Sequence, residues 1–243
     1  MTKAYKNEEF MASENARSLR ILAEYIEPRQ RLAAHGIKRA LIFWGSARLR
    51  PRRGGPVDDS VDYYNQARLL AARMAQWTMD KHAPRERYSI CTGGGPGIME
   101  AANRGASDIN RDLSVGFGIS LPHEQGCNDY INDKLNFEFH YFFMRKFWFM
   151  NIAKALVVFP GGFGTMDELF EMLTLMQTGK HEPIPIVLYG RDFWERLIDF
   201  DVFTELGLIG PEDLSLLYMA STVSDAFKSL TGALEAKAED EAS

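Results

Sequence analysis

Three times in this chain a short apolar run gives way to small residues and then to a helix-like repeat. Ala40-Leu41-Ile42-Phe43-Trp44 leads into Gly45-Ser46, and Tyr88-Ser89-Ile90-Cys91 leads into Gly93-Gly94-Gly95-Pro96-Gly97. Ala155-Leu156-Val157-Val158 leads into Pro160-Gly161-Gly162-Phe163-Gly164-Thr165. Strand, glycine turn, helix is the repeating unit of a parallel sheet covered by helices on both faces. Ligands of such sheets bind beyond the carboxyl ends of the strands, where all three turns fall. Glycine permits backbone conformations closed to other residues and lets an anion approach main-chain amides. A helix N-terminus adds free N–H groups and partial positive charge. A tight turn without a ligand accounts for any single one of them; their recurrence points to a bound phosphate.

The rest of the chain fits the same alternation. An N-terminal helical extension is expected over 1–35: residues 7–35 are rich in Glu, Ala, Leu and Arg and read as helix, with Pro28 expected to break or restart it. The main body is expected over 36–236 and a frayed polar tail over 237–243. Residues 58–81 carry apolar side chains at helical spacing. Strands are expected at 113–122, 136–142, 155–159 and 184–190, and helices at 143–153, from the third turn to Gln177, at 192–200 and at 224–236. Residues 214–221 read as a last strand or a loop, and Gly179 as a helix stop.

Bulk properties exclude several classes. At 243 residues, one large α/β domain is as plausible as two small ones. A formal net charge of −5 argues against nucleic acid or a membrane surface as partner. Two cysteines, Cys91 and Cys127, make neither a disulfide framework nor a zinc cluster, which suits a reducing cytoplasm. The N-terminus lacks an apolar signal core. The longest apolar stretch, Tyr141 to Phe159, is interrupted by Arg145, Lys146, Asn151 and Lys154, so no membrane span is expected.

The turns do not match the nucleotide signatures with a known mechanism. No Lys follows the glycines as in a P-loop, and G-x-G-x-x-G is missing at the first strand. The phosphate is thus expected on a small substrate rather than on a triphosphate or dinucleotide. Thr165 and Glu168 have capping-box spacing, so Glu168 either closes back on its helix or faces what sits in the turn. Asp167, about 100° around the helix, is the weaker acid. Arg145 and Lys146, set among Phe142, Phe143, Met144, Phe147 and Trp148, either snorkel to solvent or reach an anion. Arg48, Arg50, Arg52 and Arg53 read mainly as a solvated loop, with Arg48 close enough to face the turns. His123 and Glu124 follow another strand end, where Glu124 is placed to accept from sugar hydroxyls; Cys91 reads as a buried strand residue.

"GGGPGIMEAANRGA", "MRK" at 144–146 and "PGGFGTMDE" at 160–168 together resemble the Lonely Guy family of cytokinin riboside 5′-monophosphate phosphoribohydrolases, long mislabelled as lysine decarboxylases. Pro160 through Glu168 meet the family signature P-G-G-x-G-T-x-x-E in full. The resemblance covers roughly residues 38–235 and implies a Rossmann-like α/β sheet, dimeric or higher. It implies Arg145 and Glu168 as catalytic residues. Gly45, Ser46, Gly93, Gly94, Gly95, Gly97, Glu124, Met144, Lys146, Gly161, Gly162, Gly164 and Thr165 are the expected substrate-binding set. The N-terminal 35 residues, the arginine-rich insert and the stretch between Gly118 and Met144 depart from the short plant-type members and look like a longer bacterial branch.

The implied reaction is hydrolysis of the N-glycosidic bond of a nucleoside 5′-monophosphate, AMP or a cytokinin riboside monophosphate, to free base and ribose 5-phosphate. A carboxylate serves it by stabilising an oxocarbenium-like sugar, activating water or adding covalently. No metal or other cofactor is expected. The partners expected are a small-molecule nucleotide and a second copy of the chain. A non-catalytic carrier of a phosphorylated ligand, a nucleotide or a molybdopterin-type cofactor, is the competing reading. A decarboxylase is a poor third, since no Lys stands in a convincing setting for pyridoxal phosphate.

Overall fold

Seven strands, each short and rich in apolar residues, pair in one sheet: β1 (Arg39–Trp44), β2 (Tyr88–Thr92), β3 (Ser114–Ile119), β4 (Asn136–Phe139), β5 (Ala153–Val158), β6 (Ile186–Tyr189) and β7 (Leu217–Ala220). This computed structural model describes residues 2–51, 62–120 and 126–242. The strand order is β4-β3-β2-β1-β5-β6-β7, and every pairing is parallel. The chain winds outward from β1 to β4, crosses back to pair β5 with β1, and winds outward again. The order therefore reverses between β1 and β5, the position at which doubly wound sheets open a crevice.

Both faces of the sheet are covered, which is why β1, β2 and β5 are nearly continuous apolar runs. On one face pack α3 (Tyr63–Lys81), α4 (Ile98–Ile109) and α10 (Val223–Ala242). Leu41, Phe43 and Val157 meet Leu70, Ile98 and Leu230 there. Gly105 lets α3 and α4 touch, for a Cβ on it would lie 2.1 Å from the Arg68 carbonyl oxygen. The other face carries α2 (Arg17–Ala34), α5 (Phe142–Ile152), α6 (Phe163–Gln177) and α7 (Arg191–Leu197). Ile42, Trp44, Leu156 and Val158 meet Phe149, Leu169, Met172 and Trp194 there. Short helices α1 (Glu8–Ala12), α8 (Asp201–Glu205) and α9 (Pro211–Leu214) complete the described α-helices.

Several sequence expectations shift. Pro28 does not break the first long helix but lies buried inside α2. A proline leaves the carbonyl four residues earlier without its helical donor. Here that carbonyl belongs to Glu24, and the Trp148 indole N–H donates to it at 2.9 Å. The alternating segment at 136–142 is strand only to Phe139, and 217–220 is a strand. The last helix continues to Ala242, with Lys237 donating to the Pro183 carbonyl at 3.0 Å and pairing with Glu182 at 3.1 Å. In α6, Leu169 and Met172 are fully buried and Leu173, Leu175 and Met176 pack against the same cluster, while Phe170 stays exposed.

Candidate functional site

The carboxyl ends of β1, β2, β3 and β5 and the adjoining end of β4 surround a cavity of about 1100 Å³. Gly45, Ser46, Gly93, Gly95, Arg145, Gly161, Gly162, Gly164, Thr165 and Glu168 all line it, as does Arg48. The three turns are locked to one another. Ser46 N–H donates to the Pro160 carbonyl at 3.0 Å, and the Ser46 carbonyl accepts from Ile98 N–H at 3.1 Å.

The glycines divide by what a side chain would meet. A Cβ on Gly97, whose φ is +73°, would lie 2.4 Å from the Ser46 carbonyl oxygen, so glycine there lets the β1 turn sit on the start of α4. Gly97 and Gly94 are not among the residues lining the cavity; they shape its wall. A Cβ on Gly45 would crowd Ile98, and one on Gly161 would lie 2.1 Å from Thr165 Oγ1. Gly162 and Gly164 are different, because nothing lies within 4 Å of the space a Cβ would take. The protein's own packing does not require glycine at these two positions. They leave open the approach to the first turn of α6.

That turn also settles the capping question. The N-cap is Gly162 and α6 begins at Phe163, so Thr165 is the third helical residue and Glu168 lies in the second turn. Thr165 and Glu168 therefore form no capping box. The first N–H groups of α6 have no intrahelical acceptor, and they open beside the glycines that line the cavity.

Glu168 is joined to Arg145 from the facing helix α5, with Nη2 donating to Oε1 at 3.0 Å. Both side chains are almost enclosed, 11% and 13% exposed. The guanidinium lies 5.2 Å and 5.8 Å from the Phe142 and Phe149 ring centres. Its Nη1 would be 3.7 Å from a Cβ on Gly93, so the end of β2 passes beneath it without a side chain. Burial raises the Glu168 carboxyl to about 7; Arg145 pulls it down, and Asp167 adds a smaller upward push.

Not every predicted residue reaches the cavity. Lys146 turns away to pair with Asp167 at 2.6 Å and Glu171 at 3.1 Å. Met144 is buried in the core, and neither lines the cavity. Glu124, His123, Arg52 and Arg53 lie outside the described residues, while Cys91 is buried in β2 as expected.

Sequence reasoning missed a buried polar network beneath the second turn. Thr92 Oγ1 donates to Asn103 Oδ1 at 2.6 Å and accepts from Gly94 N–H at 2.9 Å. Asn103 Nδ2 donates to Ser114 Oγ and the Val115 carbonyl, and Asn128 Nδ2 donates to Asn103 Oδ1 and the Gly94 and Gly95 carbonyls. The one signal was an Asn at an otherwise apolar helix position. The same reasoning overlooked Ser120, Cys127, Asn136 and Glu138, which line the far wall.

Fold and site together define a doubly wound α/β protein with a glycine-lined cleft at the carboxyl ends of its strands and a buried Arg–Glu pair beside it. Residues 99–230, more than half of the chain, match the model of the family described as "Possible lysine decarboxylase". The chain belongs to this family, the Lonely Guy family of the resemblance above. It is 30% identical over 132 residues to the pyrimidine/purine nucleotide 5′-monophosphate nucleosidase of Escherichia coli, covering 48% of this chain and 28% of that one. It is 34% identical over 80 residues to the cytokinin riboside 5′-monophosphate phosphoribohydrolase LOG3 of Arabidopsis thaliana, covering 32% and 37%. With the probable cytokinin riboside 5′-monophosphate phosphoribohydrolase LOG4 of rice (Oryza sativa subsp. japonica) it shares 29% over 152 residues, 61% of this chain and 64% of that one. The chain thus spans between about a quarter and just under two thirds of these relatives' lengths. The solved molybdenum cofactor binding protein from Rippkaea orientalis aligns with a TM-score of 0.49 and 16% identity over 81% of this chain and 98% of its own, and nothing is carried over from it.

Proposed function

We propose that this protein hydrolyses the N-glycosidic bond of a nucleoside 5′-monophosphate, AMP or a cytokinin riboside monophosphate, releasing free base and ribose 5-phosphate. The observation that carries the reading is the Arg145–Glu168 pair, enclosed at 3.0 Å beside the open first turn of α6. In this reading the 5′-phosphate sits on the main-chain amides of Gly162 to Thr165 and of the Gly93–Gly95 turn. Glu168, ionised, faces the anomeric carbon as positive charge builds on the sugar. It takes a proton from water, whose oxygen bonds to that carbon as the bond to the base nitrogen breaks. The proton then passes to the departing base. Arg145 holds the carboxylate in place. Phosphate binding remote from the reacting carbon supplies energy that is expressed there.

The printed names of the relatives, a nucleotide monophosphate nucleosidase and phosphoribohydrolases, support the same bond. Schiff-base decarboxylation lacks its nucleophile, since no Lys is among the described residues lining the cavity. A carrier would need the amides but not the Arg–Glu pair. The protein works in this reading as a homodimer in the cytoplasm. The free thiols of Cys91 and Cys127 suit a reducing compartment, and no described helix is long and apolar enough to cross a membrane. Incubating the protein with a panel of nucleoside monophosphates tests the proposal. Free base and ribose 5-phosphate should appear in equal amounts; tight binding without release would make it a carrier.

A further inference from the structure

The cavity has a second acidic wall, on the side away from α6. On β4 the buried residues are Phe137 and Phe139, so Asn136 and Glu138 face the opposite way and line the cavity. Ser120 Oγ donates to Glu138 Oε1 at 2.7 Å, which fixes the carboxylate. Among the described residues, no donor meets the other oxygen. Glu138 is paired in the β3–β4 ladder with Gly118, and Asn136 with Gly116, so no side chains stand beside them on that strand. The Cys127 thiol fills the gap at Gly118, where a Cβ would come within 2.6 Å of its Sγ, and the Ile131 side chain fills the one at Gly116. Burial, and then the Glu138 charge, push the Cys127 pKa up, so the thiol adds no second anion here.

Charge orders the cavity. The amides of α6 favour a phosphate at one end; a fixed carboxylate repels it at the other and accepts hydrogen-bond donors instead. Gly93, beneath Arg145, directly follows β2, and β4 lies two strands away, roughly 10 Å. A nucleotide whose phosphate lies on the amides of α6 and of the Gly93–Gly95 turn therefore keeps that phosphate away from Glu138, and its base is the part that extends toward β4. We propose that Glu138, oriented by Ser120, is a specificity-determining residue that selects nucleoside 5′-monophosphates whose base carries an amino group on its outer edge. This rests on the hydrolase reading for the placement of the sugar, and on the cavity geometry for the rest.

The test compares AMP with purine riboside 5′-monophosphate, the same nucleotide without the amino group. The wild-type protein should favour AMP in kcat/KM by about tenfold, the value of one hydrogen bond to a charged acceptor. In Glu138→Ala that ratio should fall to about one. Glu138→Gln keeps an acceptor oxygen and should fall between. A wild-type ratio near one, or one that Glu138→Ala leaves intact, overturns the proposal. If the wild-type protein releases no base from either nucleotide, the hydrolase reading fails instead. The same ratio of dissociation constants, measured by calorimetry on wild type and Glu138→Ala, then decides the role of Glu138 by itself.

Discussion

Glu168 is held where its two charge states are nearly balanced. Burial favours the neutral acid, Arg145 favours the carboxylate, and the outcome is a pKa of about 7. If the carboxylate is the working form, kcat/KM for AMP should rise with pH through about 7 and level off above it. Glu168→Gln should lower kcat by a factor on the order of 10²–10⁴ and remove that rise. The same shift acts on stability. The folded pKa lies above the 4.5 of an unperturbed carboxyl, so the folded chain holds the proton longer. The stability contributed by this site is therefore full below about 4.5 and lost as pH rises through about 7. Glu168→Gln, neutral throughout, should melt above the wild type at pH 8, with the gap closing towards pH 5. Gly164 makes a second residue-scale case. It sits in the first turn of α6 with nothing within 4 Å of its missing Cβ. Gly164→Ala should stabilise the protein by about 0.5–1 kcal/mol through helix propensity. It should also lower kcat/KM at least tenfold, because the methyl group occupies the approach to the amides. A loss of stability, or unchanged kinetics, would remove Gly164 from the anion site.

The helices that hold the Arg145–Glu168 pair depend on contacts that no single segment reveals. α5 carries Arg145 and is tied to α2 at several points. The Glu24 carboxylate accepts from His140 N–H at 2.8 Å and Tyr141 N–H at 3.3 Å, at the start of α5. The Glu24 carbonyl, released by Pro28, accepts from Trp148. Tyr25 packs on the rings of Phe147 and Trp148 at 5.6 Å and 6.1 Å. The N-terminal segment is thus a brace for α5. Trp148→Phe keeps most of the packing but leaves the Glu24 carbonyl without a donor, and should cost about 1–3 kcal/mol in urea unfolding. Combining it with Pro28→Ala restores a helical donor and should recover part of that loss. Pro28 alone reads as a helix breaker, since the indole that satisfies its orphaned carbonyl stands 120 positions further along. The glycine turns were easier to read, because strand, turn and helix lie in one continuous stretch.

At the scale of the molecule, the largest apolar side chains left in solvent include Phe143 and Phe147 on α5 and Leu22 and Ile26 on α2, between 39% and 50% exposed. We take this surface as the seat of the proposed homodimer. Phe143→Asp with Phe147→Asp should convert a dimer to a monomer in light scattering after size exclusion, while leaving the circular dichroism spectrum unchanged. Periodicity alone cannot tell an apolar stripe buried by its own chain from one buried by another. The alternation of strands and helices, the three turns and the signature from Pro160 to Glu168 were legible, since each is a local pattern of small, apolar and acidic residues. Sequence alone therefore determined the class of sheet and the placing of the glycine turns at the carboxyl ends of its strands. Only tertiary structure decided that Gly97 serves the β1 turn, that Lys146 faces Asp167 and Glu171, and that Glu138 shares a cavity with Glu168. Local pattern sets backbone conformation and which face is apolar. The neighbours of a charged side chain are set by the crossing of strands remote in sequence, and it is those neighbours that determine its pKa and its reach.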